Sequence, residues 1–156
     1  MFWKLRGKAY DENTGEPAYQ MQKSIVESGT VPGLLTFDGD EPVGWIAVEP
    51  RSAYPKLAHS RILKPVDAAD VWSVTCFFVA KQARRQGLTV ELLKAAVDYV
   101  RQQGGQIVEG YPVETKENMP APFIYTGTAA AFQKAGFVEV ARRSEKRPIM
   151  RYTIGD

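Results

Sequence analysis

The centre of the chain combines a buried strand, a charged loop and an amphipathic helix, and this combination constrains the fold more than any other feature. Residues 71–79 (VWSVTCFFV) carry no charge and are rich in β-branched and aromatic side chains, which predicts a buried central strand. Residues 87–103 repeat apolar side chains at helical intervals, which predicts an amphipathic helix ended by Gly104-Gly105. Residues 106–113 alternate in character and predict a second strand, in which Pro112 limits the pairing. The two strands are therefore expected to lie in one sheet, joined by a crossover helix.

Shorter patterns on both sides of this centre predict further helices and antiparallel hairpins. Antiparallel strands flanking a single crossover helix predict an α/β fold with a mixed sheet, and not a doubly wound fold. The 44% hydrophobic content is sufficient for one core, and no internal repeat or long linker divides the chain, so we expect one domain over residues 1–156. The predicted order is helix, hairpin, strand, helix, strand, helix and hairpin, at residues 15–29, 33–49, 71–79, 87–103, 106–113, 127–137 and 137–154.

Composition excludes several classes of function. Cys76 is the single cysteine and His59 the single histidine, so an intrachain disulfide is excluded, and a zinc site or a Cys-His nucleophile has no support. The 20 basic and 18 acidic residues nearly balance, so neither nucleic acid nor an anionic membrane is required as a partner. No stretch approaches the ~20 apolar residues that span a bilayer, and the first ten residues lack the apolar centre of a signal peptide. We therefore expect a cytoplasmic protein.

The charged loop after the first central strand has the features of an anion site. The first backbone N–H groups of a helix have no partner inside the helix and carry the positive end of its dipole. Gly87 allows the backbone to approach a ligand, Arg84 and Arg85 add guanidinium donors that match phosphate oxygens, and Lys81 adds a point charge. The loop therefore suits a diphosphate, although a solvated charged turn has the same composition. A lysine is missing after Gly87 and glycines are missing before it, which argues against a P-loop and a Rossmann turn.

Two motifs resemble those of the GCN5-related N-acetyltransferases, the GNAT family. Residues 79–89 (VAKQARRQGLT) are similar to its acetyl-CoA signature, Q/R-x-x-G-x-G/A, with Arg84 and Gly87 in the first and middle positions and Thr89 where Gly or Ala is usual. Residues 127–143 resemble its motif of a short helix that ends in Gly-Phe before the penultimate strand. The resemblance extends over residues 35–154 and is nearest to a bacterial branch.

The resemblance implies a GNAT-like, mostly antiparallel sheet flanked by helices, with a splay between two central parallel strands. Acetyl-CoA would lie in the splay, with a backbone N–H near Phe77 polarising the thioester carbonyl. Pantetheine would bond to the first central strand and the pyrophosphate to the loop amides. The residues expected to bind the cofactor are Phe77, Phe78, Val79, Arg84, Arg85, Gln86, Gly87, Leu88, Thr89 and Phe132.

The resemblance also implies catalytic candidates. Many family members protonate the leaving thiolate with a tyrosine at the position of Phe132, which has no proton to give, so Tyr125 and Tyr111 are the substitutes. Glu109 is the favoured base, and its alternative is a carboxylate that binds the amine or pairs with an arginine. Glu114 and Glu117 are further candidates.

The expected activity is acetyl-CoA-dependent transfer, without a metal, to the amine of a small molecule or a peptide, by direct attack in a ternary complex. The alternative is an acyl-CoA-binding module without efficient turnover. A nucleic-acid-binding domain is disfavoured, and a homodimer stays open. The basic cluster Arg142, Arg143, Lys146 and Arg147 is either a solvated turn or an attractor for an acidic substrate or the CoA phosphate.

Overall fold

The computed structural model describes residues 1–115 and 124–155, which form helices around one six-stranded sheet. The strand order across the sheet is β1-β2-β3-β4-β6-β5. The strands are β1 (Gly33–Asp38), β2 (Glu41–Pro50), β3 (Trp72–Val79), β4 (Ile107–Gly110), β5 (Val138–Arg142) and β6 (Pro148–Thr153). The α-helices are α1 (Lys8–Asp11), α2 (Glu16–Glu27), α3 (Pro55–Ala58), α4 (Leu88–Gln102) and α5 (Ala129–Lys134), with short 3₁₀ turns at Arg51–Ala53 and Lys81–Ala83.

The pairing pattern confirms the predicted mixed α/β fold. β3 and β4 are parallel, joined by the crossover helix α4, and the other neighbouring strands are antiparallel. The parallel pairing is short: it runs from Trp72 opposite Val108 to Val74 opposite Gly110. Beyond Val74 the two central strands separate, so the predicted splay is present at the carboxyl end of β3.

Two apolar layers cover the two faces of the sheet. On one face, α4 and α5 bury a core that includes Val74, Leu93 and Phe132. A second apolar cluster, which includes Trp3, Tyr54 and Leu63, joins the N-terminal residues and the segment after β2 to Tyr111 and Ile149 of the sheet region. Each face thus has its own packed layer, as a two-sided sheet requires.

Two element boundaries differ from the sequence prediction for a physical reason. The helix predicted from residue 87 begins at Leu88, with Gly87 as its N-terminal cap residue at φ +76°. The strand predicted over 106–113 ends at Gly110, because Pro112 cannot donate to a neighbouring strand. Val113 then forms an isolated parallel bridge with Thr128. Among the described residues, no helix has both the length and the apolar character needed to cross a bilayer.

Candidate active site

The carboxyl end of β3 presents an unpaired backbone edge toward the splay. The pairing of β2 with β3 shifts between Ala47 and Val48, so Thr75 is an extra residue in β3 and forms a bulge. Beyond the bulge, the N–H of Phe77 points away from β2 and donates to the carbonyl oxygen of Tyr125 at 2.6 Å. Alternate residues of a strand point the same way, so the N–H of Val79 also faces the splay.

This geometry bears on two of the residues expected at the donor site, Phe78 and Phe77. Phe78 directs its backbone groups to β2, opposite Trp45, and so away from the splay. The Phe77 N–H, expected to face the thioester carbonyl, is already bonded to Tyr125. Of Phe77, Phe78 and Val79, Val79 is left with an N–H group that faces the splay and has no backbone acceptor there among the described residues.

Residues 125–129 fill part of the splay. The Val113 N–H donates to the Gly127 carbonyl at 2.9 Å, and the Ala129 N–H donates to the Val113 carbonyl at 3.0 Å. Together with the bond between Phe77 and Tyr125, these contacts tie the segment both to β3 and to the extension of β4. The two central strands are therefore bridged by the chain itself where they separate.

The loop between β3 and α4 forms a concave backbone turn. Arg85 has φ +61° and is the only residue other than glycine with positive φ in the described part of the chain, and Gly87 follows at φ +76°. A Cβ at Gly87 would meet nothing within 4 Å, so the left-handed backbone, and not crowding, is what requires glycine there. Within the described residues, the N–H groups of residues 85–89 have no backbone acceptor. Such a cluster of free N–H groups at a helix start is an anion site.

Three hydrogen bonds hold this loop in place. The Ala80 N–H donates to the Val43 carbonyl at 2.8 Å, Gln82 Nε2 to Glu41 Oε1 at 3.1 Å and Arg84 Nε to the Val79 carbonyl at 3.0 Å. Arg84 therefore caps the end of β3 with its Nε, while Arg85 and Lys81 are exposed to solvent. The predicted loop residues Gln86, Leu88 and Thr89 lie in the same turn, with Gln86 Nε2 bonded to the Gln82 carbonyl.

Phe132 lies in the core at the end of β4. Its side chain is fully buried and packs edge-on against Phe77 and Phe137, with ring centroids 6.1 and 5.0 Å away. A Cβ at Gly110 would overlap the Phe132 ring, and one at Gly127 would lie 2.8 Å from it. The predicted cofactor residue Phe132 thus closes the base of the splay as an apolar wall.

Glu109 belongs to a buried network of charges. Only 1% of the residue is exposed. Its Oε1 accepts from Arg51 Nη1 at 2.9 Å and from the Tyr111 hydroxyl at 2.7 Å, and its Oε2 accepts from Arg151 Nε at 2.6 Å. Arg151 also binds Asp67 with two N–H groups, at 2.7 and 3.0 Å, and this contact lowers the pKa of Asp67. These contacts match the alternative for Glu109, a carboxylate paired with arginine, better than a free base.

Tyr111 is held in the same network. Its hydroxyl contacts Ser73 Oγ at 2.8 Å, accepts from Arg51 Nη1 at 2.7 Å and donates to Glu109. Burial, followed by the charge of Glu109, raises the pKa of Tyr111. A fully buried hydroxyl whose proton already binds a carboxylate is poorly placed to protonate a thiolate in the splay.

Tyr125 is the predicted catalytic residue that lies beside the splay. Its backbone carbonyl accepts from Phe77, and its half-buried side chain lines a cavity of about 460 Å³. Burial raises the pKa of Tyr125, although Arg147 opposes that effect. The phenol therefore keeps its proton at neutral pH, as a general acid must.

The remaining titratable candidates are Glu114, Glu117, Cys76 and His59. Glu114 pairs with Arg142, and Glu117 lies outside the described residues. Cys76 is partly buried, and burial raises the pKa of its thiol, so it is not a thiolate nucleophile at neutral pH. His59 is exposed and lies at the wall of the cavity beside Tyr125. No group of three or more His, Cys, Asp or Glu residues in residues 1–115 and 124–155 is arranged to hold a metal ion.

Sequence reasoning missed the N-terminal contribution to the cavity beside Tyr125. Trp3, Arg6 and Lys56 lie in its wall together with Tyr125 and Arg147. Trp3 and Arg6 lie near the start of the sequence, and Lys56, Tyr125 and Arg147 follow at distant positions, so no local signal could have grouped them. The nearest signal was the basic cluster that contains Arg147.

The comparisons with known proteins agree with this geometry. The model of the acetyltransferase (GNAT) family matches residues 1–137. No curated protein gives a significant match to the chain.

Three solved structures illustrate the shared fold. A candidate GNAT acetyltransferase from Desulfovibrio desulfuricans is 19% identical, with a TM-score of 0.57 over 91% of this chain and 86% of that one. The ribosomal-protein-alanine N-acetyltransferase of Brucella melitensis is 16% identical, with a TM-score of 0.55 over 89% and 78%. A candidate acetyltransferase from Salmonella typhimurium, solved with its cofactor acetyl-CoA, is 13% identical, with a TM-score of 0.56 over 92% and 76%.

Proposed function

The chain belongs to the acetyltransferase (GNAT) family, and from that premise we propose that it transfers the acetyl group of acetyl-CoA to the amine of a small molecule or a peptide. Acetyl-CoA supplies the acetyl group as an activated thioester. The proposal specifies direct attack by the amine while both substrates are bound. Positioning the two reactants in this way lowers the barrier without a covalent enzyme intermediate.

The observation that carries the proposal is the cluster of N–H groups at residues 85–89, which have no backbone acceptor in residues 1–115 and 124–155. It lies at the start of a 15-residue helix, next to the unpaired end of β3. The helix dipole and the free N–H groups favour a pyrophosphate, and the exposed Arg85 adds a charged donor above them. The residues present thus fit the donor that the family uses, with Val79 as the backbone donor on the strand.

We assign the proton donor to Tyr125. It is the tyrosine whose backbone bonds to β3 in the splay and whose phenol has a raised pKa without being bound into the Glu109 network. Its role is to hold a proton at Oη and give it to the leaving thiolate. Glu109 has a structural role in this proposal, because both of its oxygens are paired with arginine. The amine would then lose its proton to solvent through the open cavity.

An acyl-CoA-binding module is the second candidate function. The observation that favours it is the bond between Phe77 and Tyr125, which occupies the N–H expected to polarise the thioester. A protein that binds acetyl-CoA but leaves this bond intact would lack that stabilisation of the oxyanion. The two candidates differ in turnover and not in donor binding.

Two measurements test the proposal. Acetyl-CoA at concentrations well above micromolar should raise the Tm, because a ligand of the native state stabilises it. With a panel of amines as acceptors, acetyl-CoA should release its free thiol. The panel includes peptides because the Brucella relative is named for a ribosomal-protein alanine. No change in Tm would overturn donor binding. A raised Tm without thiol release from any amine would favour the binding module.

A further inference from the structure

The cavity beside Tyr125 has a cationic wall. Its volume of about 460 Å³ suits a small ligand. Arg6, Lys56 and Arg147 all lie in the wall, and no aspartate or glutamate does among the described residues. The cavity therefore has a charge preference that the neutral composition of the whole chain does not show.

Among the described residues, these three cations have no ion pair, unlike several other arginines. Arg51, Arg142 and Arg151 each bind a carboxylate. In residues 1–115 and 124–155, Arg6, Lys56 and Arg147 bind none. Asp11 lies close enough to raise the pKa of Lys56, but burial lowers it more. Three unpaired cations around one cavity repel one another unless an anion enters it.

Arg147 is oriented to bind such an anion. Its Nη1 donates to the Tyr111 carbonyl at 3.1 Å and to Thr126 Oγ1 at 3.3 Å, which fixes the guanidinium plane. Its other nitrogens donate to no atom of the described chain. A fixed guanidinium with free N–H groups matches the paired oxygens of a carboxylate or a phosphate.

The wall also contains aromatic surface and one unused donor. Lys56 Nζ lies 3.2 Å from the centroid of the Phe2 ring, which holds the ammonium against the cavity edge. The Trp3 indole N–H is buried without an acceptor in the described part of the chain. A buried donor without a partner costs free energy, which is a mark of a site that a ligand or water completes.

The cavity adjoins the acetyl-transfer position. Tyr125 lines the cavity with its side chain and bonds to Phe77 of β3 with its carbonyl. A ligand that binds Arg147 through an anionic group is therefore next to the phenol assigned as proton donor. An amine at the other end of a small molecule could reach the thioester from there.

We propose that this cavity is the acceptor site and that it selects amines that also carry a carboxylate or a phosphate. This inference rests on the proposed acetyl transfer and adds the substrate class. Two members of the basic cluster near the C-terminus have partners within the protein. Arg142 binds Glu114 and Glu139, and Arg143 donates to the carbonyls of Ile62, Lys64 and Pro65. Arg147 is the member that faces the cavity.

The test compares matched acceptors on the whole protein with acetyl-CoA. Each pair contains an anionic amine and its uncharged counterpart: an amino acid and its amide, and an amino-sugar phosphate and the free amino sugar. Free thiol release gives kcat/KM, and calorimetry with CoA present gives binding without turnover. The two pairs separate a carboxylate from a phosphate. We expect a preference of about tenfold or more for at least one anionic member.

Variants connect the preference to the wall. Arg147→Gln should abolish the preference and Lys56→Gln should reduce it, while Arg147→Lys should keep part of it. Arg61→Gln is the matched control, because Arg61 is exposed and lies outside the wall between wall residues Ser60 and Ile62. It should change kcat/KM by less than about twofold.

The outcomes separate this inference from the proposed function. Equal kcat/KM, or equal affinity, for the two members of each pair would contradict the preference for anionic amines. It would not contradict the proposed acetyl transfer. A preference that survives Arg147→Gln and Lys56→Gln would also overturn the anionic acceptor site. Without any thiol release, calorimetry still decides, because binding of the anionic members that Arg147→Gln removes supports the site and equal binding refutes it.

Discussion

The backbone N–H of Phe77 donates to the carbonyl oxygen of Tyr125 over 2.6 Å, which ties the open end of the central strand to the segment before α5. This bond holds the backbone of Tyr125 beside the carboxyl end of β3. It also engages the Phe77 N–H, the group that the family resemblance implies for polarising the thioester carbonyl. The donor site and the proposed acid are thus joined through one hydrogen bond.

Tyr125→Phe should lower kcat by about a hundredfold, because loss of a general acid typically costs that much or more. The Kd for acetyl-CoA should stay within about twofold, since the backbone contact with Phe77 is kept. Tyr19→Phe is the control, because Tyr19 is 60% exposed on α2. Steady-state kinetics with any working amine measure the effect. An unchanged kcat would place the acid elsewhere.

Glu109→Gln should lower the free energy of unfolding by about 3 kcal/mol, because it leaves the part-buried Arg51 and the buried Arg151 without their shared carboxylate. Turnover per folded molecule should fall less than threefold. Urea unfolding and kinetics well below the Tm separate the two effects. Glu139→Gln, at an exposed pair with Arg142, should cost less than about 1 kcal/mol. A large loss of turnover with unchanged stability would make Glu109 the base after all.

The buried tyrosines predict sensitivity to high pH. Burial raises the pKa of Tyr54 and of Tyr111 above the ordinary value of 10.0, so the folded chain keeps protons that the unfolded chain loses. The free energy of unfolding should therefore be undiminished below pH 10 and should decrease as the pH rises through 10. Urea unfolding between pH 8 and pH 11 checks the slope.

Two substitutions separate these tyrosines. The Tyr54 hydroxyl is buried with no hydrogen-bond partner of ordinary geometry among the described residues, whereas the Tyr111 hydroxyl contacts Ser73, Arg51 and Glu109. Tyr54→Phe should be neutral or stabilising at pH 7 and should flatten the alkaline decrease. Tyr111→Phe should cost about 2 kcal/mol at pH 7. Equal effects of the two changes would contradict the difference in hydrogen bonding.

Much of the fold could be predicted from the sequence because its signals are local. The strand at 71–79, the helix from Gly87 and the glycine after α5 each follow from spacing and from residue types that end elements. The helix start and the loop before it were predictable for the same reason, since they are adjacent in the chain. The mixed sheet then followed from the order of the elements.

The partners of the site residues could not be predicted, because they come from distant segments. Glu109 meets Arg51 and Arg151 from either side of the sheet centre, and Tyr125 meets Phe77 across a gap of dozens of residues. A carboxylate that is free and one that is paired have the same sequence pattern. Burial and pairing decide the role, and only the three-dimensional arrangement shows them.

Gly87→Ala should weaken acetyl-CoA binding by about tenfold, because an alanine resists φ +76° and would shift the N–H groups of the turn. The same strain should cost about 1 kcal/mol of stability. Gly39→Ala is the matched control, since Gly39 has φ +60° in the turn between β1 and β2 and open space around it. It should show the same loss of stability with unchanged acetyl-CoA affinity. Equal affinities in both variants would move the pyrophosphate away from this turn.

Arg85→Gly tests whether the strained backbone of Arg85, in the same turn, serves acetyl-CoA binding. Arg85 holds φ +61°, a conformation that costs a side-chain-bearing residue about 1 kcal/mol and glycine almost nothing. The substitution should therefore raise the free energy of unfolding by up to about 1 kcal/mol while weakening acetyl-CoA binding by about tenfold, since the exposed guanidinium is lost. Arg61→Gly, at another exposed arginine, should weaken neither binding nor the response of the Tm to acetyl-CoA. Lower stability together with unchanged affinity would show that Arg85 stabilises the loop and does not bind the donor.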